Sequence, residues 1–116
     1  MTLQHVPTVT RADVDRLVRR DFPHHVTEVL SLLTDYGPDN DTQRVRAAIL
    51  KLAKGNLGAL RHEIAVADND PRDVLAYAEY PGYMRRVPGR NKLPPDQEKQ
   101  IIDADWAQYQ EWFTRQ

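Results

Sequence analysis

The chain reads as an all-α protein, one compact domain of five or six short helices. Apolar residues recur at i, i+3 and i+4 in segment after segment, the spacing that lines one face of an α-helix. Those segments are bounded by Thr, Asp or Asn at their starts and by glycine or proline at their ends, the chemistry of helix caps and breakers. No stretch alternates β-branched and polar residues, and no Asn-Gly or Asp-Gly pair marks a hairpin.

The first helix is predicted to start at Thr10, where Thr10 and Asp13 form a capping box with Asp in place of the usual Glu. Val14, Leu17 and Val18 make its stripe. Pro23 interrupts it, because proline lacks the amide proton a helix interior needs. The second helix is predicted to take Pro23 as an early residue and Asp21 as its cap, with Val26, Val29, Leu30 and Leu33 facing inward and Gly37-Pro38 as the stop. The third follows Asn40 or Asp41, carries Val45, Ala48, Ile49 and Leu52, and closes at Gly55, since glycine adopts the left-handed cap conformation cheaply.

Asn56 caps the fourth helix, whose stripe is Leu57, Leu60, Ile64 and Ala67. So short a link makes the third and fourth helices an antiparallel hairpin. The fifth begins at Asp70-Pro71, with Asp73 favouring the positive helix end. Val74, Leu75 and Ala78 face inward with Tyr77 beside them, and Pro81-Gly82 stops the helix. A last helix starts near Pro95, striped by Ile102, Trp106, Tyr109 and Phe113 and widened by Ile101 and Trp112. Asp96 and Glu98 in its first turn and Arg115 in its last match the helix dipole.

The stretch VRAAILKLAKGNLGALRHEIAVADNDPRDVLAYAEYP, residues 45–81, resembles a family of small bacterial proteins that share AILKLA, a glycine, a helix, and then RDVLA-x-AEYP. The shared residues are mostly packing residues and cover about a third of the chain. The resemblance implies a bacterial, helical, stand-alone protein. It carries over no catalytic residue and no established activity.

At 116 residues, residues 1–116 suit a single domain: an N-terminal tail over 1–9, a basic proline-rich connector over 80–95 and a C-terminal helix over 96–116. The absence of cysteine excludes a disulfide framework, a thiol nucleophile and a thiolate metal site, and fits a reducing cytoplasm. The N-terminal ten residues have neither the basic start nor the apolar run of a signal peptide. No apolar stretch approaches the ~20 residues that span a bilayer, so no membrane association is expected.

Chemistry-bearing residues are few. His24 and Glu28 stand four apart, as do Asp21 and His25, so each pair shares a helix face and could supply part of a zinc or iron site, with His62 or Glu63 completing it. The plainer reading makes Asp21 a cap and the histidines solvated first-turn residues. Neither DYGPDND nor DNDPRD has the glycine and bidentate Glu of a calcium-binding EF-hand loop, and capping explains both. Asp105, close to the aromatic stripe, is expected to pair with an arginine of the basic strip. Nothing calls for a cofactor.

The strip YPGYMRRVPGRNKLPP, residues 80–95, holds four basic side chains, no acidic one and four of the eight prolines, in a chain of net charge −1. Loops longer than about 12–15 residues without structure are uncommon in compact domains and tend to be functional. Tyr, Met and Arg are residues that protein interfaces favour. The expected role is therefore contact with a protein partner or a second copy of the chain through Tyr83, Arg85, Arg86 and Arg90, with Trp112 second. The alternatives are a nucleic-acid-associated protein using the same arginines, which the acidic remainder disfavours, and a metal-dependent enzyme using His24, His25 and Glu28.

Overall fold

The computed structural model of the protein describes residues 5–36, 42–86 and 94–116, in order α1 (Arg11–Asp21), α2 (Val26–Asp35), α3 (Thr42–Ala53), α4 (Leu57–Asn69), α5 (Pro71–Glu79), α6 (Pro81–Arg86) and α7 (Pro95–Thr114). No strand occurs among the described residues, and the fold is an all-α single domain. The described residues hold one helix more than the six expected, because part of the basic strip is itself helical.

Local capping chemistry places several ends. Thr10 and Asp13 close a reciprocal capping box on α1. Asn56 accepts the Ala59 amide at the start of α4, and Asp70 accepts the Arg72 amide at the start of α5, where Pro71 sits in the first turn. Lys54 and Gly55 both take positive φ after α3, at 52° and 75°, turning the chain into α4. The expected caps Asn40 and Asp41 and the stop Gly37-Pro38 lie outside the described residues.

The junction of α1 and α2 differs from expectation. Phe22 is buried, and its amide donates to the Val18 carbonyl, which carries α1 through to Asp21. Pro23 therefore opens a tight turn, and α2 starts only after His25. Asp21 does not cap α2; Arg20 holds it in a fork of hydrogen bonds at 2.7 and 3.2 Å.

α3 is the central element, packed by α1, α4 and α5. A helix surrounded on several sides buries more than one stripe. Ala47 and Leu50 are accordingly as buried as Ala48 and Ile49, while Leu52 is only partly covered. Tyr77, expected beside the inner face of α5, points out and is 53% exposed. At the N-terminal end of α3, Arg44 makes a bidentate pair with buried Glu79 of α5, at 2.8 and 2.6 Å.

α7 lies against α5 and α6 and is anchored by its aromatic face. Tyr109 is buried, and Trp112 and Phe113 pack against the core. The segment from His5 to Thr10 runs without regular structure. The His5 ring stacks on Trp106 with centroids 4.9 Å apart and meets Asp103 at 3.1 Å, the Tyr80 hydroxyl donates to the His5 carbonyl, and Pro7 is buried.

The Tyr109 hydroxyl is buried and meets no hydrogen-bond partner among the described residues. Burial pushes its ionisation well above the usual phenol range; Glu79 adds to that and Arg44 opposes it. An unsatisfied buried hydroxyl costs about 1–3 kcal/mol. Tyr109→Phe is therefore expected to raise stability by about 1 kcal/mol in denaturant titrations at neutral pH. The raised phenol contributes stability that is complete below pH ~10 and erodes as pH climbs past it, so the Phe variant also loses less stability in alkali. Some slope remains from Tyr36 and Tyr80, which burial also raises.

Candidate functional site

The histidine face does not assemble a metal site. His24, His25 and Glu28 are all exposed, and Glu28 is engaged by Arg61 at 3.2 Å. Asp21 is held by Arg20, and His62 is exposed on α4. Glu63 is half-buried, with one carboxylate oxygen lacking a partner among the described residues. Among the described residues, no group of three or more His, Cys, Asp or Glu side chains comes close enough to hold a metal ion.

The basic strip is less irregular than its sequence implies. Its first part winds into α6 because two of the open amides at the helix start find an acceptor. The Gly82 and Tyr83 amides each donate at 2.9 Å to one oxygen of Asp105, which projects from α7 and is buried. Asp105 thus caps a neighbouring helix through backbone amides, where pairing with an arginine of the strip was expected. Tyr80 is buried beneath the strip, Tyr83 and Met84 are half-buried, and Arg85 is exposed without an ion pair among the described residues. Arg90, Lys92 and the side chain of Arg86 lie outside the described residues.

Trp112 serves the fold. It is half-buried under the Arg20 guanidinium, 5.2 Å from ring centroid to Cζ, and tilts against Tyr109. Phe113 sits in the same way under Arg16 at 5.3 Å. Their backbone carbonyls are satisfied by the same cations: Arg20 donates to Trp112 O at 2.6 Å and to Arg115 O at 2.7 Å, and Arg16 donates to Phe113 O at 2.8 Å. A pair of arginines four residues apart on α1 therefore closes the C-terminal end of α7. The spacing was visible in the sequence, but nothing local names a partner more than 90 residues away.

The surface feature next to the strip is a groove of about 310 Å³ between α5 and α6. Leu75, Ala76, Tyr80 and Met84 give it an apolar lining, and Arg44 and Arg72 stand on its edge. Glu79 also borders it, but its carboxylate is consumed by Arg44. The groove is wide enough for one large apolar side chain; Arg72 forks onto Asp70 at 3.0 and 2.9 Å and Arg44 onto Glu79, so both of its arginines carry a carboxylate partner. None of the described helices is long and apolar enough to cross a membrane. No family model, curated protein or solved structure shows a significant match to the chain.

Proposed function

We propose that the protein works by contact with another protein in a bacterial cytoplasm, and that the α5–α6 groove receives an apolar anchor residue flanked by acidic ones. The observation that carries this reading is the groove itself, an apolar depression bordered by Arg72 and followed on α6 by exposed Arg85. Anchors that fill a desolvated pocket dominate binding energy, and charge around the rim sets partner choice and encounter rate. Exposed Arg85 follows the groove on α6, and half-buried Tyr83 precedes Met84 there; Arg86 and Arg90 belong to the proposed contact set by their place in the sequence, and Trp112, under the Arg20 guanidinium, borders a different cleft.

A photo-crosslinking amino acid at exposed Arg72 is expected to trap a discrete partner in the native host, and the same probe at Tyr77 to trap none. Met84→Glu with Arg85→Glu is expected to weaken that adduct at least about tenfold, and Arg85→Glu alone to change stability by no more than ~0.5 kcal/mol, the usual range for an exposed site. Equal adducts from both probe positions, or an adduct indifferent to the Met84 and Arg85 changes, would discard the groove as the docking surface. A trapped second copy of the chain would replace the acidic partner with self-association.

A further inference from the structure

A second concavity lies where the C-terminal ends of α1, α3 and α7 meet. It has a volume of about 580 Å³, in the range of small-molecule sites. Six charged side chains border it: Arg20, Asp21, Lys51, Lys54, Glu111 and Arg115. Two ion pairs neutralise four of them, Arg20 with Asp21 and Arg115 with Glu111. Lys51 and Lys54 are left over, and neither has an ion-pair or hydrogen-bond partner among the described residues. Lys51 is half-buried, and Lys54 is exposed at the mouth of the same cleft.

Backbone geometry points the same way. Lys54 is the sole non-glycine residue with positive φ among the described residues, at 52°. A long side chain in that conformation costs about 1–2 kcal/mol, and Gly or Asn would occupy it more cheaply. Such strain is often kept where a side chain is needed for binding. Burial holds the Lys51 ammonium below the usual lysine range, Lys54 pushes it further down, and Asp105 pulls against both. Asp105 is not available as a contact partner, since its oxygens take the Gly82 and Tyr83 amides. The cleft thus holds two cations without an ion-pair partner among the described residues, with Trp112 in the same lining and more room than an inorganic ion fills.

We infer that this cleft binds the phosphate monoester of a small organic molecule, with Lys51 and Lys54 facing the doubly charged phosphate and Trp112 forming the wall for the organic part. Two ammonium groups balance a dianion, whereas a single carboxylate would leave one charge uncompensated. Gln108 is spoken for by the Asp105 carbonyl at 2.8 Å, so recognition of the phosphate falls to the lysines.

The test is a titration of full-length protein with inorganic phosphate, glycerol phosphate and acetate, followed by amide and indole NMR shifts. Saturable shifts at Lys51, Lys54 and the Trp112 indole are expected with both phosphates, tighter for the monoester, and none with acetate. Lys51→Met, which keeps the alkyl body, and Lys54→Asn are each expected to weaken binding about tenfold or more, as loss of a charge-assisted contact does. Lys54→Asn also raises the melting temperature, which separates lost binding from lost fold. The proposal is overturned if neither phosphate gives saturable shifts, if acetate matches them, or if the two variants bind as wild type does. A response to an oligonucleotide or to phosphatidic acid vesicles without one to glycerol phosphate also overturns it.

Discussion

Arg20→Met is expected to cost about 3 kcal/mol of stability and to lower the melting temperature by about 10 °C, while Arg19→Ala next to it costs less than about 1 kcal/mol. The difference is one of geometry. The Arg19 side chain is 62% exposed and reaches only Asp15. The Arg20 side chain is 13% exposed and does three jobs: it forks onto Asp21, donates to the Trp112 and Arg115 carbonyls, and lies over the Trp112 ring. Methionine keeps the stem and removes the cation. Asp21 is then left shielded and unpaired, and two carbonyls at the end of α7 lose their donor. Breaking a buried pair by removing one member costs about 3–5 kcal/mol, and the residual exposure here puts the expectation at the low end. Arg20→Lys is expected to recover less than half of the loss, since an ammonium cannot form the fork. Hydrogen exchange should locate the damage in the last turns of α7, with Trp112 fluorescence shifting toward that of a water-exposed indole. A Met variant that melts within about 2 °C of wild type would show that α7 is held by its apolar face alone.

What could be read from the sequence follows from how far each interaction reaches along the chain. Thr10 with Asp13, Asn56 with Ala59 and Asp70 with Arg72 act across two or three residues, so a capping pattern names both partners at once. The apolar stripes are equally local, and they place Leu17, Val29, Ile49, Leu60, Val74 and Tyr109 inside, where the structure has them. Interactions that span the chain had no such signature. Asp21 looks like a cap until Arg20 is seen to turn back and claim it. Residues 80–95 look like an irregular connector because the acceptor for the amides of Gly82 and Tyr83 sits on α7. Lys51 attracts no notice in sequence, since a lysine in the last turn of a helix is ordinary dipole chemistry. Only the meeting of three helix ends shows that it lacks a partner. The sequence's own candidates fared according to the same rule. Trp112 was chosen for being large and terminal, and it lies under a cation of α1 and borders a cleft that no local pattern announces.

The same long-range logic yields a prediction about α6 that changes sign with background. Gly82→Ala in the wild-type chain is expected to destabilise by about 2 kcal/mol, within the usual range for overpacking. A β-carbon at position 82 would stand 2.6 Å from the Asp105 carboxylate oxygen that accepts the Gly82 amide, so the carboxylate has to move and the hydrogen bond goes with it. Asp105→Ala alone is expected to cost about 3 kcal/mol, because the Gly82 and Tyr83 amides lose their acceptor and a void opens beside α7. In the Asp105→Ala chain the obstacle to a β-carbon is gone. Alanine at position 82 then gains its helix propensity over glycine, worth up to about 1 kcal/mol, and fills part of the void. Gly82→Ala is therefore expected to stabilise the Asp105→Ala protein by about 0.5–1 kcal/mol, giving a coupling near 3 kcal/mol across the cycle. Urea unfolding of the four proteins measures it. Additivity within about 0.5 kcal/mol would mean that Asp105 and the start of α6 do not meet in solution. In that case the groove lined by Met84 would lose the element that forms its α6 side, and the docking surface proposed for this protein would go with it.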